Sequence, residues 1–239
     1  MATLSNNIYL TNLPEKFNIN HLITALRKLS NKFVKIRERY KMKYINQLDY
    51  PNLKYVTMTE MEETAKNAGQ NTTIANSGCG LCSAIMAIDR ILPNSQFSLE
   101  DAIEFSYQVK ANILSGTQFY IYGPALAKRF AIKYEESKSI VRLKECLRTG
   151  GVAIARVAGN RDNYIGVFSK GKHYITIINV EPDGRLAVLD PSYKEGKYLE
   201  DGRKGKVEMK QSVIALCDEK VIEEDCLPHD PRYFLFWRE

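Results

Sequence analysis

The sequence predicts an α+β fold in which a block of helices is followed by an antiparallel sheet. Residues from Cys79 to Thr149 carry apolar side chains at helical spacing, and the chain changes character at Gly150-Gly151. After that point, runs rich in β-branched residues alternate with turn residues, which is typical of antiparallel strands. Helices that come first and strands that come second predict the α+β class.

Four helices are predicted in the first block. In the first of them, Leu81, Ile85, Ile88 and Leu92 recur every three or four residues from Cys79 onward, and Pro93 ends the pattern. The other three are predicted over residues 98–113, 117–130 and 139–149. Their apolar faces are expected to pack on the sheet.

Strands are predicted over residues 152–157, 173–180, 185–189, 213–216 and 233–237. The second and third form a hairpin, because Glu181-Pro182-Asp183-Gly184 is a turn sequence. With a four-residue loop, Val180 opposes Arg185 and Asp190 opposes Ile175. His173 and Asp190 then become diagonal neighbours on one face of the sheet, within reach of a hydrogen bond.

The overall composition is that of a globular protein, with 44% hydrophobic and 26% charged residues among 239. No apolar run of about 18 residues is present, so no transmembrane helix is predicted. The first thirty residues show no secretion signal, and the five cysteines are an odd number. Free thiols in a reducing compartment, and hence a cytoplasmic location, are expected.

The net charge of +6 lies in the N-terminal quarter, because residues 1–60 hold ten basic and four acidic residues. We predict that residues 1–60 form a basic helical extension and residues 61–239 a second domain. Arg27 to Lys43 hold eight basic residues, which favour an acidic partner or a membrane surface. Nucleic acid is not favoured, because Phe33 and Tyr40 lie on the apolar stripe of the predicted helix rather than among its charges.

One cysteine lies where a helix begins, in Gly78-Cys79-Gly80. The first turn of a helix presents unpaired N–H groups and a partial positive charge, which stabilise a thiolate and can hold an oxyanion. The flanking glycines are expected to let a substrate backbone approach. His173 could take the proton of Cys79, and Asp190 could orient His173.

The segment Ser77-Gly78-Cys79-Gly80-Leu81-Cys82-Ser83-Ala84-Ile85-Met86 resembles the nucleophile helix of the papain-like bacteriocin-leader (double-glycine) peptidases, whose pattern is S-G-C-G-P-T-S-x-A-M. The family's later H-[YWF] strand, D-G turn and D-P strand end match His173-Tyr174, Asp183-Gly184 and Asp190-Pro191. The resemblance covers about residues 70–195. It implies a papain-like cysteine peptidase fold, with the nucleophile helix packed on an antiparallel sheet.

The resemblance also implies residue roles. Cys79 would be the nucleophile, His173 the general base and Asp190 the residue that orients His173, in a hydrolase that cleaves a peptide or amide bond through a thioester. The family often places an oxyanion-binding glutamine six residues before the cysteine, where this chain has Thr73. Asn76 and Gln70 are the nearby amides, and Asn76 is the preferred candidate.

Three alternatives remain open at this point. The same triad could perform acyl transfer to an amine, or the fold could be an inactive module that binds a peptide. Cys79 and Cys82 also form a C-x-x-C pair, but thioredoxin-like proteins place this pair after a buried strand, and here a polar segment precedes it. No cofactor is expected, and the three histidines lack metal-ligand spacing, so no metal site is expected.

Overall fold

A seven-stranded antiparallel sheet organises the computed structural model, which describes residues 43–57, 73–113 and 116–239. Its strands are Lys133–Ser137 (β1), Val152–Val157 (β2), His173–Val180 (β3), Leu186–Leu189 (β4), Val207–Met209 (β5), Ile214–Cys217 (β6) and Tyr233–Trp237 (β7). The spatial order is β1-β7-β2-β3-β4-β6-β5. The long strand β3 therefore lies at the centre, where both of its faces are covered.

Six α-helices are present in the described residues. They are Ile74–Ser77 (α1), Cys79–Ile91 (α2), Leu99–Gln108 (α3), Phe119–Phe130 (α4), Ile140–Arg148 (α5) and Glu219–Cys226 (α6). Helix α2 packs on one face of β3, where the Thr176 hydroxyl donates a hydrogen bond to the carbonyl of Ser83 at 3.2 Å. The predicted α+β class, with this helix packed on an antiparallel sheet, is confirmed.

The opposite face of the sheet carries helices α5 and α6. Alternate residues of β3 such as Ile175 and Ile177 join an apolar cluster there, while Thr176 faces α2, as the two-residue period of a strand requires. Helix α5 contributes Cys146 and helix α6 contributes Cys226 to this cluster. The sheet is thus a central layer between helices, and the ends of its strands are left free to form a site.

The predicted β3–β4 hairpin is confirmed, but the predicted register at the turn differs from the observed register by one residue. Val180 lies opposite Leu186, not Arg185. A β-bulge between Ile177 and Asn179 then absorbs one residue, and Thr176 lies opposite Leu189 as predicted. The bulge restores the expected register near the end of β4, where Asp190 follows.

Residues 43–57 contact the loop that follows β4. The Tyr44 hydroxyl donates to the carbonyl of Asp190 at 2.7 Å, and the backbone N–H of Gln47 donates to the carbonyl of Pro191 at 2.7 Å. The described residues all belong to one unit that spans Met42–Glu239. The boundary near residue 60, the Arg27–Lys43 helix with its partners, and Gln70 are predictions that lie largely or wholly outside the described residues.

A buried carboxylate fixes the loop that leads into β3. Asp225 accepts hydrogen bonds from the backbone N–H groups of Val167 and Phe168 at 2.9 Å each, and from the Tyr164 hydroxyl at 2.7 Å. We expect Asp225→Ala to lower the free energy of unfolding by about 3 kcal/mol, because two buried backbone donors and a half-buried hydroxyl lose their acceptor. Asp162→Ala, at an exposed position of the same loop, is the control in urea denaturation. Equal stability of the two variants would contradict this account.

Candidate active site

Cys79 is the first residue of helix α2, at a break between two helices. The short helix α1 ends at Ser77, and Gly78 caps it with an N–H that donates to the carbonyl of Ile74 at 2.8 Å. Helix α2 then starts with Cys79, so the thiol lies beside the unpaired N–H groups of the first turn. The predicted start of this helix is confirmed.

The glycines that flank Cys79 are required by the packing of the chain itself. A Cβ at Gly78 would lie 2.6 Å from the carbonyl oxygen of Ile74, and one at Gly80 would lie 2.7 Å from the Cβ of Thr117. Both distances are shorter than real Cβ contacts. Packing within the chain therefore requires both glycines, and the approach of a substrate backbone to them stays a prediction.

The Cys79 thiol is half-buried and lies against His173. Burial raises its pKa, but the hydrogen bond and positive charge of His173 outweigh this, and the backbone N–H groups of Tyr174 and Gly80 add to the lowering. The net pKa of Cys79 is below that of an ordinary thiol. The site therefore favours a thiolate paired with an imidazolium.

The other four cysteines have raised rather than lowered pKa values. Burial raises the pKa of Cys82, Cys217 and Cys226, and it raises the pKa of Cys146 to about 11. All five cysteines are free thiols.

Helix α1, rather than a buried strand, precedes the C-x-x-C pair formed by Cys79 and Cys82. This arrangement argues against the thioredoxin-like alternative.

His173 and Asp190 lie within hydrogen-bond distance, as the hairpin register predicts. The Nε2 atom of His173 is 2.9 Å from Oδ1 of Asp190, and both side chains are buried. This contact leaves Nδ1 as the ring nitrogen available to the Cys79 thiol. Burial lowers the pKa of His173, but its bonds to Asp190 and Cys79 raise it to about 9. The three sequence-predicted residues are thus brought together in one chain of contacts.

Asp190 is surrounded by donors that no sequence pattern had indicated. Its Oδ2 atom accepts from the Lys197 ammonium at 2.5 Å and from the Tyr198 hydroxyl at 2.7 Å. Its Oδ1 atom also accepts from the backbone N–H of Ser192 at 2.9 Å. Burial raises the pKa of Asp190, but the bonds and charges of His173 and Lys197 hold it well below its usual range. Asp190 is therefore a fixed carboxylate.

Lys197 is a buried cation whose only carboxylate partner among the described residues is Asp190. Burial lowers its pKa, and the charge of Asp190 opposes this effect. Its ammonium also donates to the Ser192 hydroxyl at 2.8 Å. Because the chain holds 34 basic residues, the sequence carries no signal that singles out this lysine.

A small pocket opens beside the thiol. Its described lining consists of Cys79, Gly116, Thr117, Gln118, Arg156, Lys172, His173 and Tyr174. The pocket therefore joins the start of α2, the start of α4 and the ends of β2 and β3. A substrate carbonyl in this pocket would lie next to both the thiol and the imidazole.

Neither of the predicted oxyanion side chains is among the described residues that line this pocket. Asn76 is exposed near the end of α1 and is not part of the described lining. Gln70 lies outside the described residues. Gln118 does line the pocket, but its amide nitrogen donates to the carbonyl of Ile113 at 3.2 Å. The backbone N–H of Cys79 therefore remains a candidate donor to an oxyanion.

No helix in the described parts of the chain is long and apolar enough to cross a bilayer. Within residues 43–57, 73–113 and 116–239, no group of three or more His, Cys, Asp or Glu side chains is arranged to hold a metal ion.

Comparisons with known proteins give structural likenesses but no sequence match. No protein-family model matches the chain, and no curated protein matches it at a significant level. The crystal structure of a Bacillus anthracis protein provisionally described as a C39-like peptidase aligns with a TM-score of 0.48 and 13% sequence identity. The alignment covers 83% of this chain and 96% of that one. A likeness at this level carries no information on activity.

Proposed function

We propose that this chain is a papain-like cysteine peptidase that cleaves a peptide or amide bond through Cys79, His173 and Asp190. The observation that carries the proposal is the contact chain from the half-buried thiol to His173 and on to a buried carboxylate. An activated cysteine next to a histidine that a third group orients is the arrangement used for acyl transfer.

In the first half of the proposed reaction, the Cys79 thiolate attacks the carbonyl carbon of the substrate. The oxyanion forms beside the start of α2, where the backbone N–H of Cys79 stabilises it. The His173 imidazolium then gives its proton to the leaving amine, and the C–N bond breaks as the thioester is formed. Asp190 holds the ring so that Nδ1 faces the thiol and the amine.

In the second half, water replaces the amine. His173, now neutral, removes a proton from water as its oxygen attacks the thioester carbonyl. The C–S bond breaks, the carboxylic acid product leaves, and the thiolate–imidazolium pair is restored. An amine in place of water would give a new amide, which is the acyltransferase alternative.

Incubation with a peptide mixture tests this function, with mass spectrometry to identify the products. The reduced protein is mixed with peptides of defined sequence, with and without glycinamide as an amine acceptor. New carboxyl termini are expected from hydrolysis, and adducts that carry glycinamide would show transfer to an amine. The absence of both products across the mixture, with Cys79 reduced, would overturn the proposed function.

The pH dependence of kcat/KM follows from the two pKa shifts. Activity is expected to fall as the pH rises through about 9, because His173 loses the proton that the leaving amine needs. Activity also falls in acid, but only below the ordinary range of a thiol, because the pKa of Cys79 is lowered. The two limbs belong to the coupled pair. A profile that only rises toward pH 10 would contradict the ion pair.

A further inference from the structure

The pocket beside Cys79 is lined by two cations besides His173. Arg156, in β2, and Lys172, which directly precedes β3, both line it. The other described lining residues are neutral or are the site residues Cys79 and His173, and none is acidic. Because the Cys79 thiolate and the His173 imidazolium offset each other, Arg156 and Lys172 leave the described lining with a net positive charge.

Arg156 makes no side-chain hydrogen bond or ion pair with the described residues. It is half-buried, whereas other half-buried arginines have such partners, as Arg142 has Glu135 at 2.8 Å and Arg161 has the carbonyl of Glu224 at 2.6 Å. A guanidinium carries five donors in a planar fork that matches a carboxylate. A half-buried guanidinium without a partner beside a pocket is thus suited to hold an anion that arrives with a ligand.

The position of Arg156 relative to the thiol is fixed by the sheet. Arg156 lies opposite Tyr174 in the β2–β3 pairing, and the next pair joins Val157 to His173. Cross-strand partners share a face, and so do residues two apart, so Arg156 lies on the same face as Tyr174 and Thr176. Helix α2, which begins with Cys79, covers that face, since Thr176 donates to the carbonyl of Ser83. An anion bound there would belong to a group close to the carbonyl under attack.

From this geometry we propose that Arg156, assisted by Lys172, determines substrate specificity by binding a carboxylate next to the scissile bond. That carboxylate is either an Asp or Glu side chain or the free carboxyl terminus of the substrate. The inference rests on the proposed peptidase function for its biological meaning, and the carboxylate preference of the pocket can be measured without turnover.

A pair of alkylating reagents measures this preference at the thiol. Iodoacetate and iodoacetamide both alkylate a thiolate by displacing iodide, and they differ in that iodoacetate carries a carboxylate. The ratio of their rate constants at Cys79, followed by mass spectrometry, is independent of the thiolate fraction. We expect Arg156→Gln to lower the iodoacetate-to-iodoacetamide ratio about threefold or more, because a nearby opposite charge is removed. Lys172→Gln should lower it less.

Arg148→Gln is the matched control, because Arg148 is an exposed arginine at the end of α5. Its ratio should equal that of the unaltered protein. A ratio unchanged by Arg156→Gln would overturn the inference. Circular dichroism of each variant verifies that the fold is kept, and Arg156→Lys should recover part of the ratio because it restores the charge without the planar fork.

Three peptide sets then separate the two sources of the carboxylate. The first set holds Asp or Glu beside each candidate bond, the second holds Asn or Gln there, and the third has an amidated carboxyl terminus. Faster cleavage of the first set than of the second assigns an acidic side chain, and loss of cleavage on amidation assigns the terminal carboxylate. Arg156→Gln should abolish whichever preference is found. Cleavage with no preference between the sets would overturn the inference.

The failure of this inference and the failure of the proposed function give different results. If the iodoacetate-to-iodoacetamide ratio depends on Arg156 but no peptide is cleaved, the carboxylate site is supported and the peptidase function is overturned. If peptides are cleaved but the ratio does not change in Arg156→Gln, the peptidase function is supported and the carboxylate site is overturned.

Discussion

Replacing Cys79 with alanine is expected to lower kcat/KM by more than about 10³-fold, because loss of the nucleophile removes the covalent route altogether. The fold should survive, since the thiol is half-buried and Asp190 still pairs with His173. The expected change in the free energy of unfolding is therefore below about 1 kcal/mol. Peptide cleavage and thermal unfolding measured on the same sample separate the two effects.

Cys82→Ala is the control for this substitution. Cys82 lies one turn further along α2, is fully buried and is not part of the described pocket lining. Its loss should leave cleavage close to that of the unaltered protein. Turnover that survives in Cys79→Ala would contradict the assignment of the nucleophile, whatever the control shows.

The second large effect is expected at the buried pair of Asp190 and Lys197. Asp190→Asn should lower the free energy of unfolding by about 3–5 kcal/mol, because it leaves the buried Lys197 ammonium without its carboxylate. Cleavage should fall in the same variant, since His173 loses the group that orients it. Denaturant unfolding and peptide cleavage measure the two losses separately.

A double substitution separates stability from function at this pair. Asp190→Asn combined with Lys197→Met removes both charges, so it should recover much of the stability but none of the activity. Lys194→Met, at an exposed lysine of the same loop, is the matched control and should change neither property. A coupling energy below about 0.5 kcal/mol in the double-mutant cycle would contradict the buried ion pair.

The parts of the fold that the sequence predicts are those with a strong local signal. Strand bounds at 152–157, 173–180 and 233–237 coincide with β2, β3 and β7, because these strands are rich in apolar and β-branched residues. The helix from Cys79 also ends where predicted to within one residue, since Pro93 stops it. Long apolar patterns with clear breakers are informative because burial and backbone chemistry agree there.

The strands missed from the sequence are the two edges of the sheet. β1 reads K-Y-E-E-S and β5 reads V-E-M, and each pairs with one strand only. Edge strands carry charged side chains because an apolar edge would invite pairing with another chain. Such a strand has no run of apolar residues to identify it. Helix α6, Glu219–Cys226, was missed for a similar reason, because five of its eight residues are charged.

The site shows the same division between local and long-range information. Cys79, His173 and Asp190 were predicted because each lies at the end of an element with a clear pattern. Lys197, Tyr198 and Arg156 were not, because their roles depend on which element they meet in space. A lysine that reaches a buried carboxylate has the same local sequence properties as one that faces solvent.

The most direct test of the account is the rate of Cys79 alkylation by iodoacetamide as a function of pH, with all five cysteines followed by mass spectrometry. The account predicts that Cys79 reacts faster than a free cysteine below about pH 7, because its thiolate is already formed, and that His173→Ala removes this advantage. The other four thiols should react slowly, since they are buried. If Cys79 reacts as slowly as an ordinary thiol at this pH, and its alkylation rate is the same in His173→Ala, the thiolate–imidazolium pair does not exist.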